Sequence, residues 1–247
     1  MSRETITITT QDGDGAATVF RPDDGKAYPA VIFFMDALGI RPAILDMGER
    51  LANYGYVVLM PDLFYRYGPY DVMDPKAVFA SGDVRGALGP YMSTTNNHKA
   101  ADDTNAYLTY LDSRSDVAGT KVGTTGYCMG GGMALTVAAR FPDRVAAAAS
   151  FHGGGLATDS ELSPHLLANK MKGFIYVAGA DKDDSYPLEQ AELLEKTLTD
   201  ANVPHKCEIY DGALHGWTQT DFPVFDEAAA ERHWRELTDL YGRTLNG

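Results

Sequence analysis

The sequence predicts an α/β fold with a mostly parallel central sheet, helices on both faces and an N-terminal antiparallel hairpin, on three observations. Short apolar runs recur along the chain with segments of helical period between them. The first twenty residues alternate and turn at Asp12-Gly13-Asp14-Gly15. A long amphipathic segment closes the chain. Alternating strand and helix signals of this kind imply parallel strands joined by crossover helices.

Taken in order, Thr5–Thr9 alternates and Ala16–Arg21 follows the turn, which gives a hairpin of edge strands. Core strands are expected at Ala30–Met35, Val57–Met60, Val122–Tyr127, Val145–Phe151, Phe174–Ala178 and Cys207–Tyr210. Helices fit at Pro42–Asn53, Asn96–Asp112, Gly131–Arg140 and Pro187–Ala201, where Pro42 and Pro187 suit first-turn positions. Near the end, Ala230, Trp234, Leu237, Tyr241 and Leu245 recur every three or four residues and form a core-facing stripe. Between Phe64 and Thr95 the period fails, apart from a short helix expected near Pro75–Ser81. A long irregular connection is a candidate pocket wall or partial lid as much as an ordinary packed loop.

The chain has 247 residues, 45% of them hydrophobic, enough for one substantial core, and residues 1–247 are expected to form a single domain. A net charge of -13 argues against nucleic acid and anionic lipid as partners and leaves a small molecule, with a monomer or small homo-oligomer expected. No run of about 18 apolar residues is present, and Met1–Thr10 lacks the parts of a secretory leader, so a cytoplasmic location is expected. The only cysteines, Cys128 and Cys207, have neither a disulfide-framework nor a metal-site spacing, and no metal is expected.

The most specific local feature is Gly126-Tyr127-Cys128-Met129-Gly130, followed by Gly131 and Gly132, between an apolar strand and an Ala-rich helix. This is the G-x-nucleophile-x-G layout of the α/β-hydrolase fold. It holds its central residue at a strained strand-to-helix corner, so residues two positions away must be small. The corner leaves the Met129 N–H free for a developing oxyanion. A cysteine there needs a base, because its thiolate is the nucleophile. The alternative for Cys128 is a buried small hydrophobe, and Cys207 reads as a packing residue of a strand.

In this fold the nucleophile is followed by an acid and then a histidine, on loops after later strands. Phe174–Ala178 ends in Gly179-Ala180-Asp181, which makes Asp181 the candidate acid. Asp183 and Asp184 read as solvated or helix-capping residues, a reading that Asp181 also admits. His215, in Leu214-His215-Gly216-Trp217 ahead of the last helix, is the candidate base. His98 and His233 fall in helix patterns, and His165 and His205 in expected surface segments. His152, just past Val145–Phe151, is either pocket-lining or part of a structural turn.

Together, Gly-Tyr-Cys128-Met-Gly-Gly, Gly-Ala-Asp181 and His215-Gly-Trp resemble the dienelactone hydrolase family, a likeness that extends to Met35-Asp36-Ala37-Leu38-Gly39-Ile40 and Pro61-Asp62-Leu63-Phe64-Tyr65-Arg66 and covers most of the chain. The resemblance implies a Cys-His-Asp triad that cleaves an enol lactone or related ester without metal or organic cofactor. It also implies a second oxyanion N–H from Ala37, and a thiol-modulating role at Asp36, where the family carries glutamate. Asp36 otherwise reads as a cap for its loop or the following helix. The family also anchors a substrate carboxylate with arginines, one of them shortly after the histidine; here that stretch is Gly-Trp-Thr-Gln-Thr-Asp221. Arg85 is the remaining candidate anchor, and Trp217 a candidate substrate-lining residue. The leading expectation is therefore a cysteine-nucleophile hydrolase of a carboxylic ester or lactone, acting through an acyl-thioester. A non-catalytic ligand-binding or regulatory module on the same fold is the alternative, and turnover separates the two. A redox-active thiol protein lacks a Cys-x-x-Cys pair or a nearby resolving cysteine.

Overall fold

A computed structural model describes residues 1–245. The chain opens with the hairpin β1 (Ser2–Thr10) and β2 (Gly13–Arg21) and continues through β3 (Tyr28–Phe34), α1 (Pro42–Asn53) and β4 (Val57–Pro61). The helices α2 (Pro75–Ala80), α3 (Val84–Met92) and α4 (Asn97–Asp112) lead to β5 (Val117–Tyr127), α5 (Met129–Arg140) and β6 (Val145–Phe151). A 3-10 turn at Pro164–Lys170 precedes β7 (Phe174–Ala180), α6 (Leu188–Asp200), β8 (His205–Tyr210) and α7 (Glu227–Thr244). The eight strands form one sheet in the order β1-β2-β4-β3-β5-β6-β7-β8. β1 and β2 pair antiparallel, β2 meets β4 antiparallel, and every later pair is parallel. The hairpin lies at one edge as expected, although only β1 is the edge strand.

Helices cover both faces, and the pleat of β5 shows it directly. A Cβ on Gly123 would meet the Tyr241 ring of α7, while Thr124, one residue on, donates its hydroxyl to Ala134 O of α5. α1 shares the α7 face, where Arg50 pairs with Glu231 and Tyr54 lies near Trp234. With both faces covered, Ala30–Phe34 of β3 is fully buried, which is why it reads as a continuous apolar run. The α7 stripe packs as expected through Ala230, Trp234, Leu237 and Tyr241. No helix among the described residues is long and apolar enough to cross a membrane.

The aperiodic stretch holds two short helices. α2 matches the expected one, beginning at Pro75 with Asp74 capping Lys76 N. α3 escaped the periodicity because Gly86, Gly89 and Pro90 interrupt it, while the Asp83 side chain caps Gly86 N at 2.8 Å. Other expectations shift slightly: β7 runs to Ala180, two residues beyond its predicted end. His165, expected at the surface, is buried with Nδ1 2.9 Å from Ser163 Oγ.

Candidate active site

Cys128 lies at the corner between β5 and α5, in the strained backbone conformation φ 52°, ψ -114°. Holding a non-glycine residue there costs about 1–3 kcal/mol, so the surroundings must enforce it. They do so through close backbone packing. A Cβ on Gly126 would lie 1.9 Å from Gly130 O, and one on Gly130 would lie 2.3 Å from Phe34 O. Cys128 N donates to Phe151 O and Gly131 N donates to Cys128 O, each at 3.1 Å, closing the turn. The thiol is half-buried at the carboxyl end of the parallel strands.

Two N–H groups flank that position. Met129 opens α5, where the first amide has no partner within the helix. Ala37 lies in the turn after β3, whose neighbouring amides are used internally: Leu38 N donates to Asp36 Oδ1 at 2.9 Å and Gly39 N to Asp36 O at 3.2 Å. Ala37 N has no acceptor among the described residues.

His215 is held from its Nδ1 side. That atom is 2.6 Å from Asp183 Oδ2 and 3.1 Å from Ser185 Oγ, leaving Nε2 for the thiol. The carboxylate on the imidazole is thus Asp183, and the assignment of Asp181 is corrected. The strand's two extra residues move the loop along, and Lys182 at φ 57° turns the chain so that the buried Asp183 points inward. Asp181 is partly exposed; its amide donates to Ala213 O, and its side chain meets Gly212 N at 3.4 Å, tying the acid and histidine loops together. Burial disfavours a charged His215, but the adjoining Cys128 and the hydrogen bond to Asp183 outweigh it and push its pKa up to about 10. Burial also works against the Asp183 carboxylate, yet His215 and Ser185 hold it below the usual range.

Two open readings, for Asp36 and His152, are decided, and the expectation for Trp217 changes. Both oxygens of Asp36 are taken by Arg41 Nη1 and Nη2, at 2.7 and 2.9 Å, so its carboxylate is bound in an ion pair instead of being free to take the thiol's proton. Trp217 is fully buried, stacked on Tyr210 at 5.1 Å, and lines the core instead of a pocket. His152 is also fully buried, with Nε2 2.8 Å from Thr218 Oγ1 and its ring edge-on to His215. Burial and the neighbouring His215 hold it well below the usual histidine range, so it is a neutral support behind the base. Arg85 is exposed on α3, with no ion pair or hydrogen bond to the triad among the described residues.

The stretch after β4 packs against the turn after β3. Ala37, Leu38, Leu88 and Phe222 pack into an apolar cluster with Met73, Phe79, Val84 and Met129, bringing α2 and α3 against Ala37 and the start of α5. Sequence reasoning missed Arg41, Ser185 and Asp221, which carry no local motif; only their packing reveals them.

Residues 16–245 match the model of the dienelactone hydrolase family. A Synechocystis protein provisionally named a carboxymethylenebutenolidase is 28% identical over 245 residues, covering 97% of this chain and 96% of that one. The hydrolase tropI of Talaromyces stipitatus is 28% identical over 202 residues, covering 81% of this chain and 74% of that protein. Among solved structures, the dienelactone hydrolase-like promiscuous phosphotriesterase P91 from metagenomic libraries superposes with a TM-score of 0.75 at 21% identity, over 99% of both chains.

Proposed function

Because the chain belongs to the dienelactone hydrolase family and is a carboxylic ester hydrolase, we propose that it cleaves a small ester or lactone through a covalent thioester on Cys128. The observation that carries this reading is His215, fixed at Nδ1 by Asp183 2.6 Å away and set beside the half-buried thiol. A thiolate-imidazolium pair is a nucleophile with an acid already beside it.

The Cys128 sulfur attacks the carbonyl carbon, and the carbonyl oxygen gains the negative charge. The Ala37 and Met129 amides accept that charge; one such donor is typically worth about 3 kcal/mol in the transition state. As the tetrahedral species collapses, the bond to the alcohol oxygen breaks and His215 gives it a proton, leaving the thioester. Neutral His215 then takes a proton from water, which attacks the thioester carbon; the acid departs and the thiolate-imidazolium pair is restored. Asp183 keeps the imidazole oriented and charged throughout, without taking its proton.

The apolar cluster of Met73, Phe79 and Val84 beside Ala37 is the proposed rest for the acyl or alcohol arm. Arg85, next to Val84 on α3, is the proposed contact for an anionic substituent. Hydrolysis of a panel of aryl esters, cis-dienelactone and trans-dienelactone tests the reading. Wild type is expected to turn over at least one, and folded Cys128→Ala none; retained turnover in folded Cys128→Ala would refute it.

A further inference from the structure

Behind the Ala37 turn lies a buried charge cluster that the reaction scheme does not use. The side chains of Arg41 and Asp36 are each 1% exposed. Arg41 Nη1 donates to Asp36 Oδ1 at 2.7 Å and to Gly39 O at 3.3 Å, and Nη2 donates to Asp36 Oδ2 at 2.9 Å. On the other edge, Nε donates to Asp221 Oδ2 at 2.7 Å and Nη2 to Asp221 Oδ1 at 3.2 Å. All five guanidinium N–H bonds thus have an acceptor, and the Phe222 ring closes one face at 5.1 Å. A lysine has three donors and no planar fork, and cannot reproduce this.

A buried ion cluster is weak evidence for stability, since apolar residues of similar volume often do as well; its value is geometric. Here the geometry joins two segments far apart in sequence. One is the turn 36–39, where Asp36 Oδ1 accepts from both Arg41 and Leu38 N, fixing the peptide next to the Ala37 amide. The other is the loop after His215, made rigid by Trp217 N to Leu214 O, Gln219 N to Gly216 O, Phe222 N to Gln219 O and Asp226 N to Trp217 O. Asp221 is the point where that loop grips the guanidinium.

We infer that Arg41, held between Asp36 and Asp221, is a positioning residue that aims the Ala37 N–H at the developing oxyanion. The inference rests on the proposed thioester chemistry, which assigns that amide its task. His215 has separate support from Asp183 and Ser185, so the clasp acts on the oxyanion and leaves the reactivity of the thiolate alone.

Two probes separate these effects in wild type, Asp221→Asn and Arg41→Lys. A trifluoromethyl ketone adds Cys128 sulfur to its carbonyl carbon and places the resulting oxyanion against the Ala37 amide. Iodoacetamide alkylates the same sulfur with loss of iodide and needs no oxyanion donor. Both variants are expected to lower kcat and weaken ketone inhibition by about tenfold or more, with KM and the alkylation rate within about threefold of wild type. Thermal melts confirm folding. If Arg41→Lys does not fold, Asp221→Asn decides alone, because Asp221 lies at the partly exposed rim of the cluster. Unchanged ketone inhibition, or inhibition and alkylation falling in parallel, would overturn the clasp. A wild type inert to every ester and to the ketone would instead overturn the hydrolase reading, and the clasp with it.

Discussion

Replacing Asp183 by Asn removes the carboxylate 2.6 Å from His215 Nδ1 while keeping its size. The rise of His215 from 6.5 to about 10 corresponds to about 5 kcal/mol in favour of the imidazolium, at roughly 1.36 kcal/mol per unit. Cys128 supplies the largest favourable contribution and the Asp183 carboxylate the next, so the variant keeps part of that gain. Its loss leaves the ring charged near neutral pH and moves the alkaline limb of the rate profile to lower pH. An Asn amide can also donate to Nδ1 and fix the wrong tautomer, which brings the expected loss in kcat/KM to about 10²–10³-fold. Asp181→Asn is the control: its side chain only meets Gly212 N at 3.4 Å, and the change is expected to stay within about threefold. Aryl ester hydrolysis across pH, with circular dichroism on each variant, measures both. A larger loss in Asp181→Asn than in Asp183→Asn would refute the assignment.

The charge on His215 also predicts its titration. The imidazolium is expected to persist on the alkaline side of neutrality and lose its proton near pH 10, taking with it the acid needed by the leaving alcohol. Activity should therefore fall above that pH, and in Cys128→Ala the ring's midpoint by NMR should drop, since its largest favourable neighbour is gone. At the corner, Gly126→Ala places a Cβ 1.9 Å from Gly130 O, and no rotamer relieves a clash with backbone. A destabilisation of about 3 kcal/mol or more is expected in urea unfolding, and a near-native midpoint would show that the corner relaxes.

The fold was legible because its elements differ in period: runs buried on both faces for the parallel strands, a stripe for α7, and alternation with a glycine turn for the hairpin. The placement of Cys128 and His215 was legible for a different reason, since each occupies a loop whose local sequence is demanded by its backbone. The acid was not. Asp181, Asp183 and Asp184 are chemically equivalent in a short loop, and which one turns inward depends on where β7 ends and on the left-handed turn at Lys182. Trp217 misled through position, for it follows a strand end facing the site yet points into the core, whereas of the two readings open for His152 the structural one holds. The pairing of Arg41 with Asp221 spans 180 residues and was invisible to any local pattern.

The central claim is an acyl-thioester on Cys128, and rapid-quench intact-protein mass spectrometry during hydrolysis of an aryl acetate tests it most directly. The expected result is a transient gain of one acetyl group, localised to Cys128 by peptide mapping, that forms in a burst with the phenol and decays at the turnover rate. Steady turnover without any adduct, together with undiminished turnover in folded Cys128→Ala, would contradict it.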